Sequence, residues 1–241
     1  MVFLHGGGVS GWMWDKQVEY FTHYHCLVPD LPGQGLSKKE DSFSIKTSAE
    51  IIVDLIEEKA EGKKVIIIGF SLGAQILVQI LSIKPHLIDY AIINSALVRP
   101  ITYAKRLIKP SILLTAPLIK NRTFSRIQAK TLYIGKNYFE QYYNESCQMK
   151  LETLILILEE NMSFSIPENF TKATGQILVI AGEKEKGMMK KSVHDLVNAN
   201  PNCKGLIIPD VGHGLSLAKP ELFNGMVEEW VHEESHNGNY F

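Results

Sequence analysis

Two hydrophobic rhythms alternate along the chain: short continuous runs of aliphatic and β-branched residues, and longer stretches in which apolar residues recur every three or four positions. The runs read as strands buried on both faces, and the longer periods read as helices with one dry side. Six strands are predicted, at residues 1–4, His25–Pro29, Val65–Ile68, Leu87–Asn94, Gln176–Ala181 and Gly205–Pro209. Helical periods lie between them, from Trp12 to about Tyr24, over Thr47–Ala60, from behind Gly73 to Ile83, over Met188–Ala199 and over Lys219–His232. In Thr47–Ala60, for example, Ile51, Ile52, Leu55 and Ile56 keep helical spacing while Glu57, Glu58 and Lys59 fall on the wet side. Repetition of strand, helix and strand implies a parallel sheet with right-handed crossovers and helices on both faces.

From about residue 96 to 175 that rhythm stops. Pro100, Pro110, Pro117 and Pro167 break the helical patterns, and no run of the earlier strand type occurs. The apolar stripes at Ile112–Ile119 and Leu151–Leu158 serve either as plain core or, in an insertion above a site, as the lining of a substrate pocket. The expected architecture is one α/β domain over residues 1–241, with about six strands and a helical cap inserted at about 96–175. At 241 residues the chain is long enough for one full core and short for two. The polar tail from Glu234 onward is expected to fray.

Several loops fall at the carboxyl ends of predicted strands, where open parallel sheets hold their ligands. The first strand runs into His5-Gly6-Gly7-Gly8, whose free backbone N–H groups suit an anion-binding concavity. Asp30-Leu31-Pro32-Gly33-Gln34-Gly35-Leu36-Ser37 is a second turn-rich loop. At Gly69-Phe70-Ser71-Leu72-Gly73 a strand ends and a helix begins almost at once, which requires glycine on both sides of a serine held in strained backbone. Ala181-Gly182-Glu183-Lys184-Glu185 and Pro209-Asp210-Val211-Gly212-His213-Gly214 end the last two strands.

Charge and composition narrow the class. A formal net charge of −1 gives no sign of nucleic acid or an anionic membrane as partner, which leaves a small-molecule substrate. Cys26, Cys147 and Cys203 are few and widely spaced, against both a disulfide framework and a zinc site. The chain opens without a leader-like pattern, and no apolar run is long enough to span a bilayer. A cytoplasmic protein is the expectation.

The order serine, acid, histidine, with a glycine loop upstream and G-x-S-x-G in a strand-to-helix turn, resembles the α/β-hydrolase family, and the likeness extends over essentially the whole chain. His5-Gly6-Gly7-Gly8 resembles that family's oxyanion loop, Asp30–Ser37 its D-x-P-G-x-G-x-S loop and Gly212-His213 its histidine loop. The resemblance implies Ser71 as nucleophile, His213 as base, and the N–H groups of Leu72 and Gly7 as oxyanion donors, with Gly6 and Phe70 beside them. It implies no cofactor and no metal. The family's acid is usually an aspartate third after a glycine, and this chain has Glu185 there; Glu183 is the competitor. The family's other acid position falls at Asn94 and Ser95, neither of which can be the anion. Asp210 reads as a turn former and His5 as a brace of the glycine loop. Relatives begin with two further strands, so the segment at Cys26–Pro29 should lie at a sheet edge, covered by another segment or by a second copy in a homodimer. The implied activity is cleavage of a carboxylic ester of a small or medium apolar substrate through an acyl-enzyme. Thioesterase, amidase, C–C hydrolase and perhydrolase chemistry stay open, as does a slow or non-catalytic ligand-binding signalling role.

Overall fold

A computed structural model describes residues 1–38, 42–101 and 103–232; the expectation for the tail from Glu234 lies outside these. The strands are β1 (Val2–Leu4), β2 (Ile66–Phe70), β3 (Tyr90–Asn94), β4 (Gln176–Gly182) and β5 (Cys203–Ile208). They form one all-parallel sheet in the order β1-β2-β3-β4-β5, with Phe3 opposite Ile68, Ile68 opposite Ile92, and Ile92 opposite Leu178. Helices α1 (Asp15–Tyr20) and α2 (Ile45–Ala60) lie between β1 and β2, and α3 (Leu72–Ile83) follows β2 directly. Between β3 and β4 the chain forms α4 (Ala104–Ile119), α5 (Arg122–Thr131), α6 (Lys136–Gln148) and α7 (Leu151–Ser163). Helix α8 (Gly187–Ala199) joins β4 to β5, and α9 (Leu215–Ala218) and α10 (Pro220–His232) close the chain.

The period-two alternation of each strand sorts its side chains into two cores. Val2, Leu4, Ile67, Ala91, Ile93, Ile177 and Val179 face α2, α3 and α8. Phe3, Ile66, Ile68, Ile92, Leu178 and Ile180 face Trp14, Phe21 and the α10 residues Phe223, Val227 and Trp230. Burial on both faces is what turned these strands into continuous apolar runs in the sequence.

Two sequence expectations need correction. The predicted strand at His25–Pro29 is a single parallel bridge, Val2 to Leu27, beside β1. Leu27 donates to Met1 and accepts from Phe3, each at 2.9 Å, but the next residue on that edge is Pro29, which has no N–H to continue the ladder. Pro110 and Pro117, expected to break helices, lie inside α4. Both are on its exposed side, where the carbonyls they leave without donors meet water, while the opposite side packs on α7.

The sheet and α3 approach each other more closely than side chains would permit. A Cβ on Gly69 would lie 2.5 Å from the Gly73 carbonyl oxygen, and one on Gly73 would collide with the carbonyl of Leu4. This contact sets the start of α3 directly against the end of β1, and so fixes where Ser71 stands. Gly73→Ala should therefore cost about 2–4 kcal/mol of stability through forced backbone displacement. Gly225→Ala, in α10 where an added Cβ meets nothing within 4 Å, should instead gain about 0.5–1 kcal/mol. Urea unfolding of the two variants checks both signs.

Candidate active site

Ser71 is the hinge between β2 and α3, with φ of 53° and ψ of −109°. This left-handed conformation is held by its own peptide group: its N–H donates to Asn94 at 2.8 Å, and its carbonyl accepts from Ala74 and Gln75 at 3.1 Å. Backbone strain of this kind persists only where neighbouring contacts over-determine it. The side chain is thereby lifted out of the sheet, and Ser71 Oγ lies 3.1 Å from His213 Nε2.

The second ring nitrogen of His213, Nδ1, is 2.8 Å from Glu185 Oε2. The Glu185 side chain is buried, and its other oxygen accepts from the Ser95 hydroxyl at 2.7 Å and from the Gly182 N–H at 2.8 Å. Burial by itself would raise the Glu185 pKa; the bonds from His213, Gly182 and Ser95 outweigh it and hold the carboxyl below its ordinary value. An ionised Glu185 takes the Nδ1 proton as its hydrogen-bond donor, which leaves Nε2 able to accept from Ser71. The buried ring of Phe70 packs against that of His213, with centroids 4.8 Å apart and the planes tilted by 42°.

The glutamate reaches the histidine because the two loops are joined. Lys184 N–H donates to the Val211 carbonyl at 2.9 Å, and a Cβ on Gly182 would collide with that same carbonyl. The longer side chain then folds back on its own turn, accepting from Gly182 three residues earlier. Glu183 goes elsewhere: its carboxylate accepts from the Asp210 N–H at 3.2 Å and has no contact with His213. Asp210 takes a left-handed turn conformation, φ 60°, and pairs with Lys184 at 3.1 Å.

The glycine loop lies against the same corner. A Cβ on Gly6 would come within 2.9 Å of the Phe70 ring and 3.6 Å of Ser71 Cβ; one on Gly7 would touch Leu72 at 3.6 Å and Ile157 of α7 at 3.3 Å. His5 anchors this loop from inside. Its Nδ1 is 2.8 Å from the Gly6 carbonyl and its Nε2 accepts from Leu31 N–H at 2.9 Å, so the neutral ring uses both nitrogens, and burial pushes its pKa down. The Asp30 loop supports the same stretch: Asp30 accepts from Gly11 and Leu36 at 2.7 Å, and Gln34 accepts from Gly8 at 2.9 Å.

Two further residues bear on the geometry without having been singled out for it in the sequence. Ser95 figured there only as a residue that cannot be an anion; in the fold it grips the anion, from a left-handed backbone of φ 60° at the end of β3. Its place beside the acid-bearing strand was the available signal. Tyr133, between α5 and α6, also has a left-handed backbone, φ 59°, and its hydroxyl accepts from Gly212 N–H at 2.9 Å. That contact joins segments 79 residues apart and left no trace in any local pattern. A cavity of about 370 Å³ opens at the opposite, amino ends of the strands, between Tyr24, His25 and Lys63, away from all of these groups.

Because the Glu185 pKa is depressed on folding, its stabilisation is complete above the ordinary glutamate value and is lost as pH falls through the folded-state value. Ser95→Ala removes a donor to the buried anion, so it should cost about 1–3 kcal/mol at neutral pH. It should also move the acid unfolding midpoint upward. Unfolding followed by circular dichroism at pH 7 and along an acid titration measures both.

The model of the alpha/beta hydrolase family matches residues 1–225. An (E)-2-((N-methylformamido)methylene)succinate hydrolase of Acinetobacter baylyi is 22% identical over 96% of this chain and 89% of its own length. A pimeloyl-[acyl-carrier protein] methyl ester esterase of Yersinia enterocolitica is 22% identical over 98% of this chain and 94% of its own. In structure, an esterase from Exiguobacterium antarcticum superposes with a TM-score of 0.80 at 17% identity, covering 95% of this chain and 90% of that one. With a family match over nearly the whole length, and a parallel sheet carrying helices on both faces, the chain belongs to the alpha/beta hydrolase family.

Proposed function

We propose that the chain is a serine hydrolase that cleaves carboxylic esters with an apolar part through an acyl-enzyme, using Ser71, His213 and Glu185. The observation that carries this reading is the unbroken hydrogen-bond chain from Ser71 Oγ through the His213 ring to the buried Glu185 carboxylate. A serine hydroxyl is a weak nucleophile near neutral pH, so it needs a base within hydrogen-bond reach. His213 Nε2 takes the Ser71 proton as Oγ bonds to the ester carbonyl carbon. Glu185 keeps the Nδ1 proton in place and stabilises the imidazolium that forms. Collapse of the tetrahedral intermediate expels the alcohol, which takes the proton from Nε2. Water then attacks the acyl-enzyme by the same relay, returning the acid and free Ser71.

The oxyanion that develops in each half-reaction needs donors that are already in place. Leu72 N–H, at the first position of α3, has no intrahelical acceptor, and the positive end of the helix dipole adds to it. Gly7 N–H is the second donor, brought to the corner by the close packing of Gly6 on Phe70 and fixed by His5. An apolar acyl or alcohol group is favoured by what stands over the loop, since the α7 residue facing Gly7 is Ile157. Ester cleavage is also supported by the Yersinia enterocolitica relative, which is named for a methyl ester.

A fluorophosphonate probe should label the wild-type chain and leave Ser71→Ala unlabelled; an unlabelled wild type ends the proposal. On a panel of p-nitrophenyl esters of increasing acyl length, Glu185→Gln should lower kcat by about 10³–10⁴, because the amide no longer fixes the imidazole tautomer. Glu183→Gln should leave kcat within about threefold, since its side chain bonds to the Asp210 turn and not to the histidine. Exchange of those two outcomes would move the acid to Glu183.

A further inference from the structure

The near-zero total charge hides a strong segregation. Between Asp89 and Glu140 the sequence has no acidic residue and nine basic ones, namely Arg99, Lys105, Arg106, Lys109, Lys120, Arg122, Arg126, Lys130 and Lys136. Arg99 is paired with Asp195 and Arg122 with Glu140. Arg106, Lys109 and Lys120, on α4 and at its end, are exposed and have no ion-pair partner among the described residues.

Helix α4 is also apolar on two sides. Ile108, Ile112, Thr115, Ala116 and Ile119 recur at i, i+4, i+7, i+8 and i+11 on the side that packs toward α7. On the outward side Leu107, Pro110, Leu114, Pro117 and Leu118 recur at i, i+3, i+7, i+10 and i+11, all exposed, with Leu113 beside them. Leu114 is 82% exposed and Leu107 61%. By helical geometry Arg106, Lys109 and Lys120 share one flank of that outward stripe. Leucine at such exposure is ordinary singly, but a continuous stripe along a helix is not.

We infer that the outward face of α4 is a docking surface for an anionic lipid bilayer. A helix with a leucine stripe and a cationic flank lies in the plane of the interface, with its apolar side in the headgroup boundary and its cations on lipid phosphates. The insertion is shallow, so the carbonyls freed by Pro110 and Pro117 still meet water there. Charge complementarity selects this occupant over a second copy, because a symmetric contact would bring cation onto cation with no acid on the face to compensate. Tyr103, 72% exposed at the head of α4 and four residues before Leu107, extends the same stripe, and tyrosine suits the boundary between headgroups and acyl chains. The inference does not rest on the catalytic reading, since it concerns only this helix and its charge.

Flotation of the full chain carrying Ser71→Ala tests it with lipid turnover removed from the comparison. Vesicles of phosphatidylcholine alone are compared with vesicles in which about one third is phosphatidylglycerol. Binding should be at least about tenfold tighter to the anionic vesicles and should weaken as salt rises. Leu114→Glu, and separately the pair Lys109→Glu with Lys120→Glu, should each lower it about tenfold or more with an unchanged thermal midpoint. If Leu114→Glu lowers the midpoint, the lysine pair carries the test. Equal binding to both vesicles, or none, overturns the inference. So does self-association abolished by Leu114→Glu, which would give the face to a second copy.

Discussion

A carboxylate buried behind an imidazole is the constraint on which the site depends. Taking an anion out of water costs several kcal/mol unless charge-assisted hydrogen bonds replace the lost solvent. Glu185 receives three, from His213, Ser95 and the Gly182 N–H, and each comes from a different part of the chain. The carboxylate therefore ties the end of β3, the end of β4 and the loop after β5 into one unit. Its pKa stays depressed although burial pushes the other way, and that balance keeps the Nδ1 proton where the Ser71 side of the ring needs it.

The sheet makes the carboxylate's reach possible through glycine. At Gly182 the backbone of β4 passes so near Val211 that a side chain would collide, and at Gly73 the first turn of α3 does the same with Leu4. These contacts carry no chemistry, but they set Ser71 Oγ 3.1 Å from His213 Nε2, with Gly7 packed beside them against Leu72. The glycine loop has little internal structure to hold it. It depends on His5 and Asp30, side chains whose polar atoms are consumed in bracing. Burial that disfavours the charged form of His5 favours this role, because a protonated ring could not accept from Leu31.

The helices between β3 and β4 reach the site by two contacts of different kinds. Ile157 of α7 packs over Gly7, and the Tyr133 hydroxyl accepts from Gly212 beside His213. One side of this segment thus presses on the groups proposed to stabilise the oxyanion and the other on the loop of the proposed base. Its first helix, α4, turns leucines outward.

Much of the fold was legible from the sequence by itself. Buried parallel strands and amphipathic helices have distinct hydrophobic periods, and glycine spacing marked the corner at Ser71 because only glycine fits there. Those signals are local, and they placed β2, α2, α3 and the loops at Gly6, Glu185 and His213. What failed locally was also physical: Pro29 denies a donor to an apolar run that otherwise reads as a strand, and packing on α7 keeps α4 helical through two prolines. Only the tertiary structure decided that Glu185 and not Glu183 faces the histidine, that Ser95 grips the carboxylate and that Tyr133 holds Gly212. Each of those depends on where a side chain points after segments far apart in the chain have met, and no periodicity encodes that direction.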